Sequence, residues 1–355
     1  MLLDPNSDPF GEQSPMLVRK PLQLMGGRFR FDSNSRELLR LVDAAYEGLP
    51  SHRLSARPPN LRVSLLLAPR RQAARRRHAI NRLEPPPLAM IHGAGFLGGT
   101  TAESNAVVMS VREGAALVVV SPDMLRSSYH ARYELIEFAV FTLASRAQRL
   151  VPLHAACVGL GGQGILIMGP SGAGKSTVAL HCLLAGFDFL SEDSVFVAPE
   201  PMLATGVSNF LHVRPESLGW LGKSREAALI AKSPVIQRRS GVKKFELDLR
   251  RERFHLAKSP LTIVATVFLS PQSAGGRPLL RPLSKAHLRA RLALDQAYGA
   301  SQPRWRPFSN KLSHLAAFEL RRGGHPFEAV EALRSFFAQQ YDEPQRRVPL
   351  PGPYR

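Results

Sequence analysis

The sequence predicts a mixed α/β protein in which a small N-terminal α+β module precedes a larger domain. Three observations support this fold class. Residues 164–177 combine a short apolar strand, a glycine-rich loop and the start of a helix that stops at Gly186. Residues 153–159 form a second strand pattern just before them, joined by a glycine turn, which predicts an antiparallel hairpin beside the loop. Alternating apolar patterns of strand length dominate the first third of the chain.

Composition sets the expected boundaries within the 355 residues. Residues 1–20 are polar and contain proline, and we expect a disordered tail there. Residues 21–125 are predicted to form the α+β module and residues 126–340 the larger domain. Residues 341–355 are rich in proline and arginine and predict a second tail.

The N-terminal module is predicted to contain one helix and several strands. The helix covers residues 37–46, with Asp32 or Ser33 as its N-cap and Gly48 closing it. The strands are alternating or apolar runs at residues 27–32, 61–67, 106–111 and 115–120, the last two forming a hairpin.

The net charge of +19 raises the question of a nucleic-acid partner. No helix-turn-helix, zinc-finger or RNP pattern accompanies the charge. We therefore interpret the basic residues, including the arginine-rich run at 69–87, as solvated surface rather than as a nucleic-acid site.

The two cysteines, Cys157 and Cys182, lie in apolar segments and lack metal-ligand spacing. This usage indicates a reducing compartment rather than a disulfide framework. Apolar runs stay shorter than the roughly 18 residues that a membrane-spanning helix needs. The N-terminus lacks the basic-then-apolar order of a signal peptide. These features predict a cytoplasmic protein without a membrane span.

The glycine-rich loop fits the pattern G-x-x-x-x-G-K-[ST], which cradles phosphates at a helix N-terminus. Lys175 is expected to reach the β- and γ-phosphates of a nucleoside triphosphate, and the Ser176 hydroxyl to ligate Mg²⁺. The residues predicted to form this site are Gly169, Pro170, Ser171, Gly172, Ala173, Gly174, Lys175, Ser176 and Thr177.

An acidic pair, Glu192 and Asp193, follows Lys175 by 17 and 18 residues. Phosphoryl transfer needs one carboxylate on the metal side and another that orients or deprotonates the attacking hydroxyl. We expect Glu192 to act as base and Asp193 to join Ser176 at the metal, although the two roles could be exchanged. His154 lies 21 residues before Lys175, and a site role and a packing role are equally compatible with its pattern.

The stretch 153–197 resembles the C-terminal catalytic domain of the HPr kinase/phosphorylase family. The matching positions are His154, Gly169, Ser171, Gly172, Gly174, Lys175, Ser176, Gly186 and Asp193. The resemblance implies a P-loop fold with a mixed sheet, shared with the phosphoenolpyruvate carboxykinases, and implies that His154 belongs to the active site. It also implies ATP and Mg²⁺ as cofactors and the formation of homo-oligomers.

Two positions depart from the family pattern. Thr177 stands where the bifunctional enzymes have Glu, and Glu192 where they have Asp. The glycine-rich segment that those enzymes use in phosphorolysis is not apparent.

Downstream, Arg214 and the lysines Lys243 and Lys244 are candidates for phosphate or nucleotide contact. Residues 261–269 predict a central strand, and residues 284–299 and 326–340 predict amphipathic helices.

We therefore expect an ATP-dependent kinase that phosphorylates a hydroxyl, serine above all, on a protein or peptide. Lys175 would neutralise charge that develops on the phosphoryl oxygens. Two alternatives stay open: a small-molecule kinase of the same fold, and a nucleotide-binding regulatory or scaffold protein with little turnover. A nucleic-acid-stimulated ATPase ranks behind both.

Overall fold

The computed structural model describes residues 18–68, 87–101, 104–252 and 254–346. The chain divides into two compact units, the first ending at Leu150 and the second beginning at Val151. Each unit contains helices and a sheet with both parallel and antiparallel pairs, so the predicted mixed α/β class is confirmed.

The sheet of the first unit has the strand order β1-β2-β3-β7-β6-β5-β4 among the described residues. The strands are β1 Val18–Leu24, β2 Gly27–Ser33, β3 Asn60–Leu67, β4 Ala89–Gly93, β5 Phe96–Thr101, β6 Asn105–Ser110 and β7 Ala115–Val120. β2, β3 and β7 run parallel, and the other neighbours are antiparallel. Alternate residues along β2 and β3 are buried, as expected for a sheet that packs its helices on one face.

Helices cover this sheet. They are α1 Arg36–Tyr46, α2 Pro122–Arg126, α3 Ser128–His130, the π-helical stretch Ala131–Glu137 and α4 Phe138–Ala147. The N-cap of α1 is Ser35, not Asp32 or Ser33, because β2 continues to Ser33. The Ser33 hydroxyl lies instead within hydrogen-bond distance of two carbonyls, 2.9 Å from that of Leu65 and 3.0 Å from that of Ser35.

The structure moves several expected boundaries. β1 begins at Val18, inside the stretch predicted as a tail, because its residues pair with β2. The hairpin of β4 and β5 was not predicted. The helical segment 128–147 belongs to the first unit, since α4 contacts β3 and β7 of that sheet. Residues 1–17 and most of the arginine-rich run, 69–86, lie outside the described residues.

The larger sheet belongs to the second unit. Its strand order is β11-β9-β10-β17-β13-β12-β8, and β19 joins β17 with β18 beyond it. The strands are β8 Val151–His154, β9 Ala156–Leu160, β10 Gln163–Met168, β11 Asp188–Ser191, β12 Ser194–Ala198, β13 Leu203–Gly206, β17 Leu261–Ser273, β18 Leu280–Pro282 and β19 Ala316–Arg322. A smaller antiparallel sheet contains β14 Phe210–Val213, β15 Val235–Gln237 and β16 Lys243–Asp248, in the order β14-β16-β15.

The central position of β10 explains its uniformly apolar sequence. Ile165 and Ile167 pack into one core cluster, while Leu166 and Met168 pack into another on the opposite face. A strand buried on both faces shows an apolar run instead of alternation. β10 pairs in parallel with β17 and antiparallel with β9, so the predicted hairpin is present.

Helices lie on both sides of the larger sheet. Those in this unit are α5 Lys175–Leu184, α6 Arg225–Ala231, α7 Lys285–Asp295, α8 Ala297–Ala300, α9 Trp305–Leu312 and α10 Pro326–Arg346, with a 3₁₀ turn at Pro215–Leu221. α5 and α10 contribute to one core cluster, and α7 and α9 to the other. α10 extends into the predicted C-terminal tail, of which residues 347–355 lie outside the described residues. No helix within the described ranges has the length and apolar character to cross a membrane.

The predicted strand 153–159 is divided, and the division shapes the candidate site. The run 153–159 breaks at Ala155, so that β8 pairs with β12 whereas β9 pairs with β10 and β11. The acidic pair occupies the gap between β11 and β12. Register pairing of Ser194 with His154 then brings Asp193 beside the histidine.

Candidate functional site

A glycine-rich loop, residues 169–174, leads from β10 into α5. Gly174 precedes the helix with a φ of +105°, a backbone conformation that residues with a Cβ rarely adopt. Lys175 Nζ donates to the carbonyl oxygens of Gly169 at 2.7 Å and Pro170 at 3.3 Å. The first N–H groups of α5 have no partner within the helix, so this end can bind an anion.

The loop borders a cleft of about 280 Å³ that we call the cationic cleft. Two lysines, two arginines, two histidines and one carboxylate line it: Lys175, Lys244, Arg214, Arg238, His154, His212 and Asp193. His154 is half-exposed, whereas His212 is buried. Burial lowers the pKa of Lys175 and of Lys244, although nearby carboxylates oppose the shift. The excess of positive charge suits a polyanion.

Glu192 does not line the cationic cleft; it is only 5% exposed. Its Oε1 accepts from His212 twice, from Nδ1 at 2.7 Å and from the backbone N–H at 3.1 Å. Burial acts to raise the pKa of Glu192, but His212 and Lys244 hold it below its ordinary value. The buried Oε2 accepts no hydrogen bond from the described part of the chain, and the nearby Ser176 hydroxyl also lowers the pKa.

His212 is buried between two carboxylates. Its Nδ1 faces Glu192, and its Nε2 lies 3.3 Å from Oε1 of Glu246. Burial acts to lower the pKa of His212, but hydrogen bonds to both glutamates raise it above its ordinary value. A doubly protonated imidazole can donate from both nitrogens and therefore fits this position.

Asp193 differs from Glu192 because its carboxylate faces the cleft. Asp193 Oδ1 lies 3.1 Å from Nδ1 of His154, and Oδ2 lies 3.9 Å from Nη2 of Arg238. Burial, aided by the charges of Lys175 and Arg238, lowers the pKa of His154 despite the contact with Asp193. A neutral His154 can donate its Nδ1 proton toward the carboxylate and orient it.

The backbone of His154 is held by a side chain distant in sequence. The N–H of His154 donates to Oε1 of Gln296 at 2.8 Å, and Nε2 of Gln296 donates to the His154 carbonyl at 3.0 Å. Gln296 is 3% exposed and follows Asp295, the last residue of α7. Burial raises the pKa of Asp295, while Lys175 and His154 oppose the shift through their charges.

The structure brings most of the predicted residues together and separates a few. Those lining the cationic cleft are His154, Ser171, Gly172, Gly174, Lys175, Ser176, Thr177 and Asp193. Gly169 and Pro170 bind the lysine through their carbonyls. Ala173 instead lines a neighbouring cleft. Of the downstream candidates, Arg214 and Lys244 line the cationic cleft and Lys243 does not.

The donor groups near α5 fit a magnesium ion bound together with phosphates. Within the described ranges, no cluster of three or more His, Cys, Asp or Glu side chains could hold a metal ion by itself. Mg²⁺ bound to phosphates commonly uses only one or two carboxylates from the protein. The Ser176 hydroxyl and the buried, unbonded Oε2 of Glu192 provide such a donor set.

Comparisons with known proteins show a distant likeness to solved structures. No protein-family model and no curated protein matches the chain. Among solved structures, the HPr(Ser) kinase/phosphatase from Coxiella burnetii is similar at 12% identity and a TM-score of 0.27, over 54% of this chain and 98% of that one. We draw no functional conclusion from a superposition at this score.

Sequence reasoning missed three residues that shape the site. His212 lies in a short apolar strand, Arg238 follows an exposed strand, and Gln296 lies between two helices. None belongs to a spaced motif. Only the histidine offered a signal, because a His amid apolar strand residues needs a polar partner when it is buried.

Proposed function

We propose that the chain is an ATP-dependent phosphotransferase that moves the γ-phosphoryl group to a hydroxyl, a serine of a protein or peptide being the acceptor that the sequence favours. One observation carries the proposal: a carboxylate, Asp193, faces the same cleft as the helix N-terminus and Lys175. Phosphoryl transfer depends on positioning and charge stabilisation, which this arrangement supplies.

The triphosphate would bind in the cationic cleft. Backbone N–H groups of the glycine-rich loop and Lys175 would hold the β- and γ-phosphates. Arg214 and Lys244 line the same cleft and would offset charge on the transferred group. Lys175 would exchange its bonds to the Gly169 and Pro170 carbonyls for phosphate oxygens.

Asp193, rather than Glu192, is the better general base. Glu192 is buried, its Oε1 is engaged by His212, and its carboxylate lies near the Ser176 hydroxyl, so it is placed for a metal ion at Ser176 rather than for an acceptor in the cleft. Asp193 faces the cleft beside His154. The roles expected from the sequence are therefore exchanged in our proposal, which assigns Glu192 and Ser176 to Mg²⁺. When bound, Mg²⁺ would neutralise charge on the phosphate oxygens.

The proposed reaction balances without a further reactant. The acceptor oxygen attacks the γ-phosphorus and forms a new P–O bond. The bond between this phosphorus and the β–γ bridging oxygen breaks, and ADP leaves. The acceptor proton passes to the Asp193 carboxylate, which His154 keeps oriented.

A transfer assay with one matched pair of variants tests the proposal. The protein is incubated with γ-labelled ATP and cell extract, and the labelled product is identified by mass spectrometry. We expect Asp193→Asn to lower transfer about 10²–10⁴-fold, the usual contribution of a general base, while ATP still binds. Asp123→Asn, an exposed aspartate of the first unit, should transfer normally.

Two results would contradict the proposal. The base assignment fails if Asp193→Asn transfers phosphate at the wild-type rate. ATP binding without transfer to any acceptor would favour a nucleotide-binding regulatory protein instead.

A further inference from the structure

A second cleft, of about 300 Å³, lies against the same glycine-rich loop. It shares Gly172, Gly174 and Thr177 with the cationic cleft, but the rest of its lining differs. We call it the Trp220 cleft, after the aromatic side chain in its wall. Its other walls come from α5, β17, β19 and the first turn of α10, including Val178, Leu269, Leu320, Pro326 and Ala329.

The wall of the Trp220 cleft is fixed by His325. The ring centroids of Trp220 and His325 are 5.4 Å apart, and the two rings meet edge to face. His325 Nδ1 accepts from the Phe327 N–H at 3.1 Å, so its Nε2 carries the proton and donates to the Trp220 carbonyl at 3.0 Å. Trp220 nevertheless remains 47% exposed. The indole is therefore held in place while much of its surface stays open to a ligand.

A second contact fixes this wall relative to the loop. The hydroxyl groups of Thr177 and Ser217 lie 3.2 Å apart and join α5 to the 3₁₀ turn that carries Trp220. Thr177 borders both clefts. One ligand bound at Gly172 and Gly174 can thus extend into both.

The two clefts differ in the chemistry that they offer. The cationic cleft suits phosphates, whereas the Trp220 cleft combines aliphatic residues, an aromatic ring and a neutral histidine. Arg321 and Arg322 also line the Trp220 cleft. Glu319, 3.3 Å from Arg321, compensates the charge of that arginine, and the planar guanidinium of the exposed Arg322 can itself pack on a π-face. A planar, uncharged group with π-faces is the complementary ligand, since such groups pack well on aromatic side chains.

We propose that the Trp220 cleft binds the nucleoside base of the triphosphate whose phosphates occupy the cationic cleft, with Trp220 as the surface on which the base packs. This inference rests on the proposed function. It adds that the nucleoside, and not only the polyphosphate, contributes to affinity. An acceptor side chain in this cleft would be the competing occupant.

Comparing the affinity for ATP with the affinity for inorganic tripolyphosphate shows whether the nucleoside base or an acceptor side chain occupies the Trp220 cleft. Titration calorimetry of both ligands is compared in wild type, Trp220→Ala, Trp220→Phe and Trp305→Phe. We expect Trp220→Ala to raise the Kd for ATP about tenfold, the scale of one base–aromatic stack, and to leave tripolyphosphate binding unchanged. Trp220→Phe should restore most of the loss. Trp305→Phe is the matched control because Trp305 lines neither cleft.

Fluorescence gives a second measurement that does not depend on the folding of Trp220→Ala. The chain has two tryptophans, so Trp305→Phe leaves Trp220 as the sole indole. ATP should change its emission, and tripolyphosphate should not. Equal affinity of wild type for the two ligands, or an equal loss of both in Trp220→Ala, overturns the inference while phosphate binding stands. Binding of neither ligand to wild type refutes the proposed function itself.

Discussion

The cationic cleft and the Trp220 cleft meet at the same helix N-terminus but are built in opposite ways. The cationic cleft depends on ionisable groups stabilised by one another, among them the buried pair of Glu192 and His212. The Trp220 cleft depends on ring contacts and a neutral histidine. This difference implies that substitutions around the cationic cleft reduce the stability of the protein more, since an unpaired buried charge costs more folding free energy than a lost ring contact.

The largest effect is expected for His212→Gln, which leaves Glu192 buried with its main charged partner removed. Breaking a buried pair in this way costs about 3–5 kcal/mol of unfolding free energy. Chemical denaturation followed by circular dichroism measures the change. His314→Gln is the matched control, because this histidine is exposed and the change should stay within about 0.5 kcal/mol. Equal stability of both variants would show that the pair contributes little.

Lys175→Ala is expected to affect catalysis rather than folding. Removing one donor that stabilises developing charge lowers the rate about 10²–10³-fold. Steady-state transfer of labelled phosphate measures this loss, and an exposed lysine, Lys232→Ala, should retain full activity. A raised KM with unchanged kcat would show that Lys175 only binds the nucleotide. The cationic cleft would then differ less from the Trp220 cleft, which we also propose to act through binding.

A smaller effect is expected for Gln296→Ala, which removes both hydrogen bonds to the His154 backbone. Misplacing a group that orients the base should lower kcat about tenfold. The Kd for ATP should not change, because Gln296 lines neither cleft. Gln296→Glu keeps an acceptor for the His154 N–H but places a carboxylate oxygen against the His154 carbonyl, so its kcat should fall at least as far as that of Gln296→Ala. A change in Kd alone would disprove the positioning role.

The smallest effect concerns His181, which contacts His325 of the Trp220 cleft edge to face. Burial and the proximity of His325 lower the pKa of His181 to about 4. The unfolded chain, with an ordinary histidine pKa near 6.5, therefore binds this proton first. Stability should fall as the pH drops below 6.5 and should level off below about 4.

Thermal unfolding between pH 4 and 7 tests this dependence. His181→Leu should flatten the profile over this range, whereas the exposed His287→Leu should not. An unchanged slope in His181→Leu would show that other groups control the acid response.

The elements that could be predicted from sequence are those whose local pattern is dictated by burial. β10 and β17 are apolar because both of their faces are covered, and α5 begins where Gly174 adopts a positive φ. The break at Ala155 could not be predicted, because it arises from strand partners far apart in the chain. The hairpin of β4 and β5 escaped prediction too, since β4 is exposed along its whole length and shows no alternation.

The candidate site was predictable as a set of residues but not as a division of roles. The spacing placed Glu192 and Asp193 near the glycine-rich loop, yet in the bend between β11 and β12 only Asp193 lines the cationic cleft. Which carboxylate faced the cleft depended on His212, 20 residues downstream, and on Glu246, which lies still further along the chain. Such long-range partners leave no local signal.

Gln296 has a consequence beyond the chemistry of His154. Within the described residues, β8 is an outer strand of the larger sheet, and the main-chain groups at an outer edge can recruit a strand from another molecule. The side-chain amide of Gln296 presents a donor and an acceptor to one residue of that edge, as a neighbouring strand would. A single glutamine thus closes the outer edge at His154 against intermolecular strand addition.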